Sequence, residues 1–174
     1  MANSPSLPEV WLRGPVEGIN PALMPAAHAL LQVAEDLGEV AAALSPSELV
    51  TAPGGAAPIY FHLRHIAGSI DRLTTYARGE KLDESQRAAL RSEKEPPGKM
   101  EEAPALVEKV VEAIHRAIEQ MRKTSDASLY EPRKVGSAGL LSTVMGLLFH
   151  TAEHAQRHTG QVITTARIVR GKAP

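Results

Sequence analysis

Apolar residues recur along most of this 174-residue chain at the three- and four-residue spacing that lines one face of an α-helix. Leu23, Ala27, Leu30, Leu31, Ala34, Leu37, Val40 and Leu44 mark a first helix over 23–44. Pro25 falls in its opening turn, where a missing N–H costs nothing. Ile59, Leu63, Ile66, Ile70, Leu73 and Ala77 mark a second helix over 59–77, stopped by Gly79. Val107, Val110, Val111, Ile114, Ile118 and Met121 mark a third over 103–123, whose other face is charged (Glu108, Lys109, Glu112, Arg116, Glu119). A fourth pattern, with Val144, Leu148, Thr151, Ala155 and Val162 on one side, predicts a helix over 139–169. Ser45-Pro46-Ser47, Thr51 to Pro58 and Thr124 to Gly136 read as loops. The polar stretch after Gly79, closing on Glu95-Pro96-Pro97-Gly98, reads as a long connector with one short helix near Asp83 to Leu90.

Four amphipathic helices and no convincing strand predict an all-α fold, a four-helix bundle. Short loops make successive helices antiparallel, whereas the long connector lets helices two and three run the same way. Residues 1–22 carry Pro5, Pro8, Gly14, Pro15, Gly18 and Pro21, too much punctuation for a helix. They read as an arm packed on the bundle domain, 23–174, and pinned by Trp11, the only tryptophan.

Composition narrows the function classes. A formal net charge of −1 gives no electrostatic reason to expect nucleic acid as a partner, and 3% aromatic content makes base-stacking platforms improbable. With no cysteine, disulfides, thiolate metal sites and cysteine nucleophiles are excluded, so any metal is held by nitrogen and oxygen. No apolar run approaches the roughly 18 residues of a membrane span. The opening MANSPSLPEVWLRG lacks the basic and apolar regions of a secretory signal, and a cytoplasmic protein is expected.

Five of the seven histidines fall in two clusters: His62 and His65 in helix two, and His150, His154 and His158 in helix four. Side chains four apart project from one helix face, so two imidazoles of one helix and a third from a facing helix can supply three nitrogen ligands and leave a position open. On a wheel of about 100° per residue, His158 lies about 40° from the buried stripe of helix four, His154 about 80° and His150 about 120°. Imidazoles at a core margin need partners for their nitrogens, and a metal ion serves as one. In helix two His62 lies roughly 65° from the stripe centre and His65 roughly 125°. The wheel therefore favours His62, but each helix of a bundle faces two neighbours, and the choice stays open on geometry. His28 and His115, isolated on their helices, read as surface or hydrogen-bonded residues. Ser69 and Ser142 have no base and acid at a recognisable spacing, which argues against a serine triad.

The segments FHLRHIAGSIDRLTTYARG (61–79) and LLFHTAEHAQRHTGQV (147–162) resemble the DinB-like (YfiT-like) metalloenzyme superfamily. The final helix of that family reads H-x-x-x-H-x-G-Q or close to it, matched by His154 through Gln161, and its second helix carries a histidine, an aliphatic residue and alanine, matched by His65-Ile66-Ala67. WLRGP (11–15) and PAAHALLQ (25–32) also look like the start of some members. The resemblance implies an up-down-down-up bundle and a divalent metal (nickel, zinc or iron) held by His65, His154 and His158. It leaves His62, His150 and Gln161 as residues that orient ligands or a bound water. It also implies a homodimer acting on a small molecule, as a hydrolase or as an S-transferase that uses a low-molecular-weight thiol; a non-catalytic metal- or small-molecule-binding bundle is the alternative. Some relatives have a carboxylate soon after the helix-two histidine; this chain has Ser69, Ile70 and then Asp71, which leaves the general base unassigned.

Overall fold

The computed structural model describes residues 7–42, 44–98 and 101–171. Four long helices form the bundle: α1 (Met24–Ala41), α3 (Ile59–Ala77), α5 (Ala103–Arg122) and α6 (Val144–Val169). Two short ones, α2 (Pro46–Val50) and α4 (Glu84–Ser92), lie in the connections. Among the described residues the fold is all-α apart from one antiparallel hairpin, β1 (Pro132–Val135) with β2 (Leu140–Thr143).

Side-chain contacts fix the helix directions. Gln120, near the end of α5, donates its Nε2–H to the carbonyl of Thr74, near the end of α3, at 3.0 Å, so α3 and α5 run parallel. His62 meets His158 and His65 meets His154, so α3 and α6 run antiparallel. Asn20, just before α1, bonds Asp126, just after α5, so these two are antiparallel. The order is up-down-down-up. Leu30, Leu37, Ile66, Ile70, Ile114 and Leu148 fill the centre at 1% exposure or less, each side chain contributing about 1.5–3 kcal/mol by leaving water. The face of α6 turned to the core is mostly small (Thr151, Ala152, Ala155, Thr159), which lets its backbone approach its neighbours closely. Thr151 and Thr159 satisfy their buried hydroxyls on the carbonyls of Leu147 and Ala155, at 2.8 and 2.9 Å.

Helix ends follow local chemistry. Gly79 adopts φ 81° after α3, and the Gly79 and Glu80 amides bond back to Tyr76 and Thr75, closing the last turn. Ser45 with Glu48, and Asp83 with Gln86, build reciprocal capping boxes that start α2 and α4.

Four expectations are corrected. Thr124 to Gly136, expected as loop in a chain without strands, holds β1, whose backbone pairs with β2. The fourth helix begins at Val144, not at 139: Gly136 and Gly139 take φ of 68° and 63°, which makes a hairpin turn and no helix. Leu140 and Leu141 then lie 68% and 78% exposed on β2, and Thr143 caps α6 by accepting from the Gly146 amide at 3.0 Å. Ser45-Pro46-Ser47 opens the short helix α2 where a loop was expected. Trp11 does not pin the arm, for the residue is 60% exposed and its indole N–H donates to nearby Glu9. The arm is anchored by buried Val10 and Ile19 and by a bidentate pair from Arg13 to Glu35 at 2.6 and 2.8 Å. Residues 1–6 of that arm lie outside the described residues.

Candidate metal centre

α3 and α6 cross with their histidine-bearing margins opposed. His65, His154 and His158 each place a ring nitrogen within 4.8 Å of the others. Ring centroids lie 5.0 Å apart for His65 and His154, 4.5 Å for His65 and His158, and 4.6 Å for His154 and His158. The Nε2 atoms of His65 and His154 are 2.8 Å apart. Among the described residues, this is the one group of three or more potential metal ligands so arranged.

The surroundings hold these rings in place. His62, 3% exposed, sets its Nδ1 2.9 Å from Nδ1 of His158 and so occupies that side of the ring. Phe61 stacks on His65 with an interplanar angle of 16° and a centroid distance of 5.3 Å. Nδ1 of His154 is buried and has no hydrogen-bond partner among the described residues. Burial, followed by repulsion from His65 and His154, pushes the pKa of His158 down to about 4. Burial, with repulsion from His65 and His150, does the same to His154, again to about 4. His62 is shifted in the same direction, by burial first and then by His65. At neutral pH these rings are uncharged, the form that offers a lone pair to a cation.

A carboxylate reaches the cluster from an unexpected place. Glu93, at the end of α4 and 5% exposed, accepts from His65 Nδ1 at 2.8 Å and from Arg72 at 2.5 Å. Burial disfavours its ionisation, but the hydrogen bonds from His65 and Arg72 outweigh this and hold its pKa below the usual carboxylate value. Asp71, the acid nearest in sequence to the α3 motif, instead accepts from Gln86 at 2.6 Å. Glu93 carries no sequence signal of this role, since it sits in a polar connector 28 residues after His65 and resembles every other charge around it.

The remaining candidates stand apart. His150 is exposed and bonds Glu153 at 3.1 Å, with its ring 5.3 Å from that of His154. Gln161 is exposed, one turn beyond His158, and forms no hydrogen bond with the histidines. Helix rotation places both towards solvent, and neither hydrogen-bonds a ring of the cluster. His28 bonds the Gly14 carbonyl at 2.9 Å, in the role expected of an isolated histidine. An apolar cavity of about 340 Å³ is lined by Val50, Pro58, Tyr60 and Pro96, together with Phe61 and Glu93, the two residues that also touch His65.

Among the curated proteins none matches this chain in sequence. Two solved structures share the fold. One is a conserved protein from Enterococcus faecalis, 17% identical, with a TM-score of 0.66 over 85% of this chain and 96% of that one. The other is YfiT from Bacillus subtilis, described as a probable metal-dependent hydrolase with an unusual four-helix bundle topology. It is 17% identical, with a TM-score of 0.65 over 92% of this chain and 94% of its own. At that identity the likeness carries the fold alone. The model of the DinB superfamily matches residues 29–162, and the chain belongs to that superfamily.

Proposed function

We propose that this protein is a divalent-metal-dependent hydrolase of a small molecule, with His65, His154 and His158 holding the ion. The observation that carries this reading is the convergence of three ring nitrogens within 4.8 Å of one another. The residues fit the ion on two counts. The donors are imidazoles, of which His154 and His158 are kept neutral, a set suited to zinc, nickel or iron. His154 also has a buried nitrogen with no partner among the described residues, so these do not satisfy the cluster as a hydrogen-bonded core. Such an ion supplies Lewis-acid chemistry: it polarises a substrate oxygen and makes a nucleophile available near neutral pH.

The chain's own residues do the rest. His62 occupies one side of His158, and Phe61 covers His65. The apolar cavity next to Phe61 suits the non-polar body of a substrate whose polar group reaches the histidines. The likeness to YfiT supports hydrolysis as the reaction. A low-molecular-weight thiol in place of water as nucleophile is the other chemistry the same site serves.

The test is a panel of small esters, amides and epoxides, offered with and without mycothiol or bacillithiol, to protein stripped of metal and then loaded with zinc, nickel or iron(II). Metal-dependent turnover without thiol supports the hydrolase. Turnover that requires thiol moves the assignment to transfer, and stoichiometric metal with no turnover across the panel favours a binding protein.

A further inference from the structure

We propose that Glu93 is a positioning residue for His65: it takes the Nδ1–H of that ring and so fixes the tautomer whose Nε2 lone pair faces His154. The proposal builds on the metal-site reading above and adds a residue to it. An ionised carboxylate is an acceptor only. Since Glu93 Oε2 lies 2.8 Å from His65 Nδ1, the ring hydrogen must be on Nδ1. A neutral imidazole has one such hydrogen, which leaves Nε2 bare, and Nε2 is the atom 2.8 Å from Nε2 of His154. The other oxygen of Glu93 is taken by Arg72 at 2.5 Å. With both oxygens engaged, Glu93 is not a free base, and its effect passes through His65.

One stripe of α3, at positions four apart, holds this acid in place. Arg64 donates to the carbonyl of Ser92 at 3.0 Å and to its hydroxyl at 3.2 Å, pinning the residue before Glu93. Arg72 grips the carboxylate from the other side. Between them Gly68 leaves a hollow, since a Cβ there would lie 2.6 Å from Arg72 Nη1 and 2.7 Å from Glu93 Oε1. The connector between α3 and α5 thus returns to α3 and delivers the partner of a candidate ligand.

Glu93→Gln separates positioning from a simple tie between α4 and α3. A glutamine has one accepting and one donating end. Arg72 can only donate and takes the amide oxygen, so the NH₂ faces His65 Nδ1 and forces the ring hydrogen onto Nε2. Ring ¹⁵N–¹H correlation spectra of the metal-free full-length protein read this directly, and zinc affinity by chelator competition reads its consequence. The expected result is Nδ1–H on His65 in the wild type, Nε2–H in E93Q, and zinc bound about 10- to 100-fold more weakly by the variant. The same tautomer in both proteins, or unchanged zinc affinity, overturns the proposal. If E93Q fails to fold, the wild-type spectrum decides: Nδ1–H sustains the proposal and Nε2–H overturns it. A wild type that shows Nδ1–H yet binds no zinc sinks the metal reading and leaves the orientation of His65 by Glu93 standing.

Discussion

Replacing Gly68 with alanine sets two well-characterised effects against each other. In an exposed helix interior the change stabilises by about 1 kcal/mol, because glycine is the poorer helix former. Here the new methyl would sit 2.6 Å from Arg72 and 2.7 Å from Glu93, closer than such atoms approach. Each group must retreat by roughly 0.8–1 Å to reach ordinary contact. Both are long side chains, but both are buried and hold one another at 2.5 Å, so neither moves without disturbing the pair. Leaving a buried charge without its partner costs about 3–5 kcal/mol. The net expectation is a loss of roughly 2–4 kcal/mol, or about 4–16 °C in melting temperature for a chain of this size. Urea unfolding of the metal-free protein, followed by far-ultraviolet circular dichroism, measures it. A variant as stable as the wild type, or more stable, would show that the Arg72–Glu93 pair yields freely, and would refute the view that Gly68 is needed to seat it.

The metal-free protein should lose stability as the pH falls from about 6.5 towards 4. The unfolded chain takes up protons on His62, His154 and His158 near 6.5, while the native state resists until about 4 for His154 and His158; a flat profile between pH 7 and 5 would contradict these shifts. A chelator should lower the melting temperature of zinc-loaded wild type, by about 5–11 °C if zinc is present at 100 times its dissociation constant. His158→Ala should melt at one temperature with or without chelator; equal chelator sensitivity in both proteins would argue against the site. Light scattering should report a homodimer, in keeping with the exposed apolar side chains Leu140, Leu141 and Phe149 on the hairpin and the first turns of α6. A monomer at tens of micromolar would remove that expectation.

The bundle was legible because helical periodicity is strong in all four long segments; α3 was placed at both ends as observed, since Pro58 and Gly79 bracket it. The start of α6 was not, because Leu140 and Leu141 continue the apolar pattern while facing solvent, and periodicity cannot report burial. A wheel referred to a single stripe placed His62 nearer the core than His65, and the fold agrees on burial, with His62 3% exposed and His65 less deeply buried. It could not say which ring meets which partner, because α3 faces both α5 and α6 and the two histidines line the margin towards α6. Glu93 was out of reach for a different reason. Its contact with His65 depends on the path of the connector, which Arg64 and Arg72 secure through contacts with no periodic signature.

Zinc titration of metal-stripped wild type, beside single alanine variants at His65, His154, His158 and His150, bears most directly on whether three imidazoles grip one ion. One zinc per chain is expected in the wild type. Affinity should fall at 65, 154 and 158 by more than the roughly 10–100-fold that loss of a supporting residue costs, and should hold at 150. Absence of a stoichiometric site, or equal losses at all four positions, would contradict it.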